Sequence, residues 1–163
     1  MTDKNGTISA QIPKHVVCVG AVVLKDQEAL LVRQAPGESL EGQWSIPWGF
    51  VDEDEFPGEA ARREVMEESS IECEIEALLG VQQLNDQGWF ALVFLGRHLK
   101  GTPQADTDGE TDRTRYVNLA ELLSFREKIE PWCEWITRRV LEGDYSVISQ
   151  ETENPYKPMR CYL

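Results

Sequence analysis

The sequence predicts an α/β fold in which a β-sheet lies between helices. Three observations predict it: apolar, β-branched runs of strand length, two segments with helical spacing of apolar residues, and the alternation of strands and helices along the chain. With 163 residues, of which 41% are hydrophobic, the chain is most simply one domain with its own core.

The first half of the chain is predicted to hold three strands and a helix. Two apolar runs joined by a short polar connection indicate a hairpin, and a loop containing glycine and proline follows. The helix starts at a proline, which suits the first turn because its missing N–H is not needed there. The predicted elements are strands at 16–24, 29–32 and 44–46, a loop at 35–43, and a helix from Pro57 to Ser69.

The second half is predicted to return to strands before a last helix. Residues 71–76 alternate apolar and acidic side chains, as expected for a strand with one solvent-facing side, and 81–84 offers a continuation of it. The remaining elements are a nearly continuous apolar central strand at 89–95, a polar loop at 100–113, a short strand at 116–117, a helical turn at 119–123 and a helix at 131–141. We therefore expect a flexible arm at 1–14, the folded domain at 15–143 and an extended tail at 144–163.

Charge and cysteine content restrict the class of partner and the compartment. The formal net charge of −13 argues against a nucleic-acid polymer or an anionic membrane as the main partner, because both require basic patches. A small phosphorylated ligand remains compatible, since a divalent cation can bridge two negative partners. No signal-peptide-like or membrane-spanning run is apparent, and the four cysteines lack CxxC spacing, so we expect reduced thiols and a cytoplasmic protein.

The most informative pattern is a glycine followed by a glutamate and then a compact cluster of charged residues. Three of its glutamates are spaced i, i+3, i+4 and lie on one face of the predicted helix, where like charges repel. Hard oxygen ligands clustered in this way suit Mg²⁺ or Mn²⁺, the ions that chelate phosphates. The alternative is a solvated acidic helix face. The residues are Gly49, Glu55, Arg63, Glu64, Glu67 and Glu68.

The spacing from Gly49 to Ile71 resembles the signature of the Nudix hydrolase family. The resemblance implies a Nudix-type α/β/α sandwich with a mixed β-sheet over roughly residues 16–142. Two positions depart from the signature: Ser70 replaces the closing glycine that lets the chain turn off the helix, and Trp48 replaces a second glycine just before Gly49. We expect both departures to alter efficiency and substrate fit more than reaction class.

The resemblance also assigns a metal site for Mg²⁺ or Mn²⁺. It implies that Glu64 and Glu68 bind the ion most directly, that Glu67 shares a second ion or a bridging water and acts in catalysis, and that the backbone carbonyl of Trp48 helps to bind metal. Arg63 is implied to hold Glu64 in its ligating orientation, the alternative being a surface ion pair.

Two further carboxylates are catalytic candidates. Glu55, just before the helix, is expected to orient or deprotonate water or to complete the metal site, whereas a purely structural carboxylate there would be favoured by the helix dipole. A distal-loop carboxylate supplies a base or ligand in this family, and Glu110 is preferred over Asp112, although loop acids are often only solvated.

Substrate contacts are the least specified. Arg33, at the end of a strand, is a candidate to neutralise a substrate phosphate, and Trp44 and Trp48 are candidates to stack on a base. For each of them, an ordinary edge or core role is the alternative.

Together these features predict a Mg²⁺-dependent hydrolase that cleaves the pyrophosphate linkage of a nucleoside diphosphate derivative by attack of water on phosphorus. The alternative is a Nudix-fold sensor that binds such a nucleotide without cleaving it. The sequence does not specify which diphosphate is cleaved or which phosphorus is attacked. A homodimer is a hypothesis by analogy with the family.

Overall fold

The computed structural model of the protein describes residues 15–84, 88–106, 109–151 and 161–162. The predicted arm at 1–14 lies outside the described residues. Strands and helices alternate in the order β1 (Val17–Lys25), β2 (Glu28–Gln34), β3 (Trp44–Ser45), β4 (Trp48–Phe50), α1 (Pro57–Ser69), β5 (Glu72–Gln83), β6 (Phe90–Lys100), β7 (Thr111–Val117), α2 (Leu119–Leu123), α3 (Pro131–Glu142), β8 (Ile148–Glu151) and β9 (Cys161–Tyr162).

The strands form a mixed sheet, as expected. Along its main path the order is β3-β2-β1-β6-β5-β8-β9, with β4 also paired to β1 and β7 also paired to β2. The central strands β1 and β6 run parallel over eight paired positions, from Val17 opposite Phe90 to Leu24 opposite Arg97. The other strand pairs are antiparallel.

Helices cover both faces of the sheet, which confirms the predicted α/β/α sandwich. Because side chains alternate along a strand, Val22 and Leu31 point to one face, while Val23 and Leu30 point to the other. On the first face they pack with residues of α2 and α3, and on the second with Ala60, Ala61 and Val65 of α1. The helices thus enclose two apolar layers around one sheet.

Several predicted boundaries of the strands are wrong, and in each case pairing with a neighbouring strand determines where the strand begins or ends. The predicted strand at 44–46 stops one residue early, and the unpredicted β4 follows at once, because residues 48–50 pair with β1. The predicted loop at 100–113 is shorter, since β6 runs on to Lys100 beside β5 and β7 begins at Thr111 beside β2. In the tail, β8 pairs with β5 and so joins the sheet.

Within the described residues, no helix has both the length and the apolar character needed to cross a membrane. The three cysteines whose side chains are described, Cys18, Cys73 and Cys133, are buried and unpaired.

Candidate metal centre and adjoining pocket

Helix α1 carries two carboxylates into the protein. It runs from Pro57 to Ser69 and is capped by Ser70, whose N–H donates to the carbonyl of Met66 at 2.9 Å. Ser70 adopts a left-handed conformation with φ 59° and ψ 25°, which a side chain normally disfavours. Glu64 and Glu68 lie one turn apart on this helix and are only 7% and 2% exposed. A helix presenting two buried acids must give each of them a partner.

Glu64 lies directly against Gly49 of β4. A Cβ atom at position 49 would come within 2.1 Å of the Glu64 carboxylate, so only glycine leaves room for it. This close approach, rather than an unusual backbone angle, explains the glycine of the motif. Burial raises the pKa of Glu64, although the neighbouring Arg63 opposes the shift.

Glu68 is the most deeply buried carboxylate of the site. Its Oε2 accepts a hydrogen bond from the backbone N–H of Trp48 at 3.2 Å, and the side chain of Gln34 provides a second one. Both donors are neutral. Burial therefore raises the pKa of Glu68 well above its usual value, and the negative charges of Glu64 and Glu110 add to the effect.

Glu110 is distant from α1 in sequence, and its neighbour Thr111 anchors it beside that helix. The buried hydroxyl of Thr111 donates to the carbonyl of Glu68 at 2.9 Å and accepts from the N–H of Asp106 at 3.1 Å. The N–H of Glu110 donates to the Asp106 carboxylate at 3.1 Å, and its carbonyl accepts from the N–H of Ala35 at 2.9 Å. These bonds fix the start of β7 beside the end of α1.

As a result, Glu64, Glu68 and Glu110 form one carboxylate cluster. Each offers an oxygen, and these oxygens all lie within 4.8 Å of one another. The three acids are 4 and 42 residues apart in sequence, so the cluster exists only in the folded chain. Glu110, chosen over Asp112 from the sequence, is the distal-loop carboxylate that the fold brings to the helix.

Arg63 is bound by acids on several sides. Its guanidinium donates to both oxygens of Glu55, at 3.1 and 2.9 Å, and to Glu64 at 2.7 Å and Glu67 at 3.0 Å. It also donates to the carbonyl of Phe50 at 2.9 Å, which ties α1 to β4. Arg63 therefore holds the Glu64 carboxylate beside Gly49, and its roles in positioning a metal ligand and in catalysis stay predictions.

Two of the predicted site glutamates lie outside the cluster. Glu67 is 54% exposed at its side chain and is engaged by Arg63, so the cluster assembles without it. Glu55 forms the two-oxygen pair with Arg63, which lowers the pKa of its carboxyl group. Their proposed catalytic and metal roles remain predictions.

The predicted substrate contacts have separate outcomes. Trp44 is 2% exposed and packs edge-on against Phe125 at 5.6 Å in the core, so the expectation that it stacks on a base is wrong. Arg33 pairs with Asp112 at 2.7 Å and with Glu127 at 3.4 Å, and a substrate phosphate would have to compete with both. This pairing lowers the pKa of Asp112 and keeps that residue away from the cluster.

Trp48 stands between the cluster and an apolar pocket. Its N–H contacts Glu68, while its side chain lines a pocket of ≈ 280 Å³ together with Ile46, Trp89, Trp132 and Cys133. Trp48 therefore borders both the carboxylate cluster and the pocket. Its walls come from β1, β4, the ends of β5 and β6, and α3.

Gln34, Asp106 and Thr111 shape the site without a sequence signal that marks them. Each is an ordinary polar residue in a loop or at a strand end, and its role depends on a partner far away in sequence. A threonine directly after a candidate loop carboxylate is too common a pattern to have identified Thr111.

Comparison with known proteins agrees with the fold and the motif. The NUDIX domain profile matches residues 14–138. The chain is 37% identical over 94 residues to the 8-oxo-dGDP phosphatase NUDT18 of Danio rerio, which covers 55% of this chain and 29% of that protein. It is 30% identical over 118 residues to an ADP-ribose pyrophosphatase of Methanocaldococcus jannaschii, covering 69% of each.

Solved structures support the same architecture. A NUDIX hydrolase from Nitrosomonas europaea superposes with a TM-score of 0.70 at 24% identity, over 85% of this chain and 76% of that one. At this identity the likeness concerns the fold. The chain spans 29% and 51% of the length of two of its curated relatives, NUDT18 and a MutT-like protein of Streptomyces ambofaciens.

Proposed function

The chain belongs to the NUDIX domain family, and we propose that it is a hydrolase that uses Mg²⁺ or Mn²⁺ to cleave the phosphoric anhydride linkage of a small nucleotide-type diphosphate. The observation that carries the proposal is the cluster of Glu64, Glu68 and Glu110, assembled from two distant segments. The family generally uses divalent metal ions.

The cluster fits a hard divalent cation. All of its donors are carboxylate oxygens, which suit Mg²⁺ and Mn²⁺ and do not suit a soft metal. Glu68 is almost fully buried with only neutral hydrogen-bond donors, so a cation would supply the charge compensation that its surroundings lack. Glu64, Glu68 and Glu110 would hold the ion, and Glu67 and the carbonyl of Trp48 are the further candidates.

A bound divalent cation neutralises charge on the substrate phosphates and lowers the pKa of water, the two effects that attack on an anionic phosphorus requires. Arg63 keeps the Glu64 carboxylate in place through a 2.7 Å hydrogen bond and is itself fixed by the two oxygens of Glu55. Positioning of this kind typically matters 10–100-fold, roughly, in metal affinity or activity.

Glu110 is the candidate for accepting the proton of the attacking water. It is exposed to solvent, unlike Glu64 and Glu68, so it can reach a water molecule that also contacts the cluster. Glu55 is the weaker candidate, because both of its oxygens are engaged by Arg63 and the pKa of its carboxyl group is lowered, which makes it a poorer base.

The relatives and the charge balance support the proposed substrate class. Two of the relatives are named for 8-oxo-dGDP and for ADP-ribose, which both carry a diphosphate on a nucleoside. A chain with a net charge of −13 would repel such an anion unless a cation bridged the two, which agrees with a metal-dependent mechanism. The proposed partner is therefore a small molecule, and neither a nucleic-acid polymer nor a membrane is part of the proposal.

The test is hydrolysis of a panel of nucleoside triphosphates, nucleoside diphosphates, ADP-ribose, NADH, nucleotide sugars and diadenosine polyphosphates. Each would be incubated with Mg²⁺, with Mn²⁺ and with EDTA, and release of phosphate and nucleotide would be measured. We expect cleavage of at least one diphosphate that EDTA abolishes. Hydrolysis unchanged by EDTA would reject the cluster as the site.

A matched pair of variants separates the site from the rest of the acidic surface. Glu68→Gln should lower turnover by about two orders of magnitude or more, because it removes a buried ligand of the cation. Glu142→Gln makes the same charge change on α3, where the acid pairs only loosely with Arg138 at 3.7 Å, and should not alter turnover. Metal-dependent binding of a nucleotide without any cleavage would instead identify a sensor.

A further inference from the structure

The pocket beside Trp48 is suited to the organic part of the proposed substrate. It shares Trp48 with the carboxylate cluster, because the N–H of Trp48 donates to Glu68 and Trp48 also lines the pocket. A ligand with its phosphates at the cluster can therefore place its attached group in the pocket. The inference rests on the proposed function for this orientation.

The pocket walls are strongly apolar and aromatic. Trp48 and Trp89 come from the sheet side, and Trp132 comes from the opposite side, on α3. All three tryptophans are half-buried, so each keeps part of its surface accessible. Phe50 contacts both Trp48, at 6.4 Å, and Trp89, at 6.0 Å between ring centroids, and so supports the aromatic wall. Such walls favour a flat, aromatic ligand.

Glu130 is the only carboxylate among the described residues that line the pocket. Its Oε2 caps α3 by accepting the N–H of Cys133 at 2.7 Å. A carboxylate has about four acceptor sites and no donor, so the cap leaves capacity for further hydrogen bonds. Apart from the indole N–H groups of its tryptophans and the thiols of its cysteines, the pocket's described lining offers one further polar side chain, the neutral Gln82. Among the described lining residues Glu130 is therefore the charged acceptor to which a ligand in the pocket can donate.

We propose that the pocket selects a purine whose hydrogen-bonding edge carries two adjacent N–H donors, as guanine does, and that Glu130 is the residue that determines this preference. The N1–H and the 2-amino group of guanine can both donate to one carboxylate. Inosine has only the N1–H, and adenine places an acceptor at N1, which a carboxylate repels. The aromatic walls hold any purine, and Glu130 distinguishes among them.

The first experiment measures binding of nucleosides to the metal-free protein, so that it does not depend on hydrolysis. The indole N–H signals of the five tryptophans would be followed by ¹⁵N NMR in EDTA during addition of guanosine, inosine and adenosine. We expect shifts for Trp48, Trp89 and Trp132, with Trp44 and Trp135 as internal references outside the pocket. Affinity should fall in the order guanosine, inosine, adenosine, by about tenfold for each donor lost.

Two variants then test the roles of charge and stacking. Glu130→Gln retains an oxygen to cap α3 but offers an N–H₂ where a ligand donor must bind, so the preference for guanosine over adenosine should fall to about one. Trp132→Leu should lower the binding affinity for all three nucleosides to a similar degree. Thermal melting of both variants would verify that they remain folded, and the nucleoside order on the wild-type protein stands as a test in itself.

The proposed activity and the proposed base preference of the pocket can be refuted independently. If no diphosphate is cleaved but guanosine shifts the three indoles in the stated order, the pocket assignment holds and the proposed activity is wrong. If diphosphates are cleaved but guanosine leaves the indoles unchanged, or adenosine binds as well as guanosine, the pocket assignment is wrong. A preference for guanosine that survives in Glu130→Gln would remove Glu130 from the proposal.

Discussion

Replacing Glu68 by glutamine should stabilise the metal-free protein and at the same time abolish most of its activity. Glu68 is 2% exposed, and its oxygen lies within 4.8 Å of those of Glu64 and Glu110. At an effective dielectric constant of about 20, two full charges at that distance repel by about 3 kcal/mol. Arg63 neutralises part of the charge on Glu64, and Glu110 is exposed to water, so we expect a net gain of about 1–2 kcal/mol.

The gain should depend on pH in a definite direction. Burial raises the pKa of Glu68 above its value in the unfolded chain, so the folded state binds the proton more tightly. Below the unfolded pKa the carboxyl group is protonated in both states, and ionisation costs no stability. As the pH rises toward the folded pKa, the wild-type protein loses stability, whereas the glutamine variant does not. The two proteins should therefore differ at about pH 8 and converge as the pH falls below the unfolded glutamate pKa of about 4.3.

Thermal unfolding in EDTA measures this directly. For a chain of this size, 1–2 kcal/mol corresponds to an increase in Tm of about 2–8 °C. Addition of Mg²⁺ or Mn²⁺ should raise the Tm of the wild-type protein and have little effect on Glu68→Gln, because the cation then lacks its buried ligand. Glu142→Gln is the control for a general loss of negative charge. A lower Tm for Glu68→Gln at about pH 8 in EDTA would refute the electrostatic reasoning.

Three further substitutions test parts of the site. Ser70→Gly should stabilise the protein by about 1 kcal/mol in chemical denaturation, because φ 59° is strained for serine and natural for glycine; an unchanged unfolding midpoint would count against strain. Gly49→Ala should weaken binding of Mn²⁺, measured by calorimetry, since the new methyl would displace the Glu64 carboxylate; affinity equal to wild type would contradict the close approach. Thr111→Val should lower kcat by about tenfold with KM little changed, because Glu110 loses its anchor to α1, whereas Thr111→Ser should retain most of the activity.

The sequence predicted the fold and the helix part of the site because their signals are local. Apolar periodicity identifies β1, β2, β6 and α1, and the i, i+4 spacing of Glu64 and Glu68 places both on one face. The helices on both faces were predicted from the order of strands and helices, the mixed sheet came from the family resemblance, and the structure agrees with both. The local sequence pattern and the family resemblance together were sufficient to predict the architecture and the helical part of the site.

What could not be predicted depends on contacts between distant segments. Residues 48–50 are too few to show strand periodicity and form β4 only because β1 lies beside them. Trp44 and Trp48 look alike in sequence, yet the first lies in the core under Phe125 and the second borders the pocket. Neither residue type nor spacing distinguishes a buried tryptophan from an accessible one.

The residues of the site lower the stability of the folded protein, and this loss of stability is itself evidence for a binding site. Two buried acids one turn apart and a serine in a left-handed conformation at the helix end each reduce stability. Gly49, the Trp48 N–H, Gln34 and Thr111 nevertheless hold that arrangement in place. Residues elsewhere in α1 follow ordinary rules, with Ala60, Ala61 and Val65 packed in the core. The loss of stability is confined to one face of α1, and residues of β2, β4 and β7 hold the unfavourable arrangement in place. Such a pattern is expected where a bound cation offsets the stability that the metal-free fold lacks.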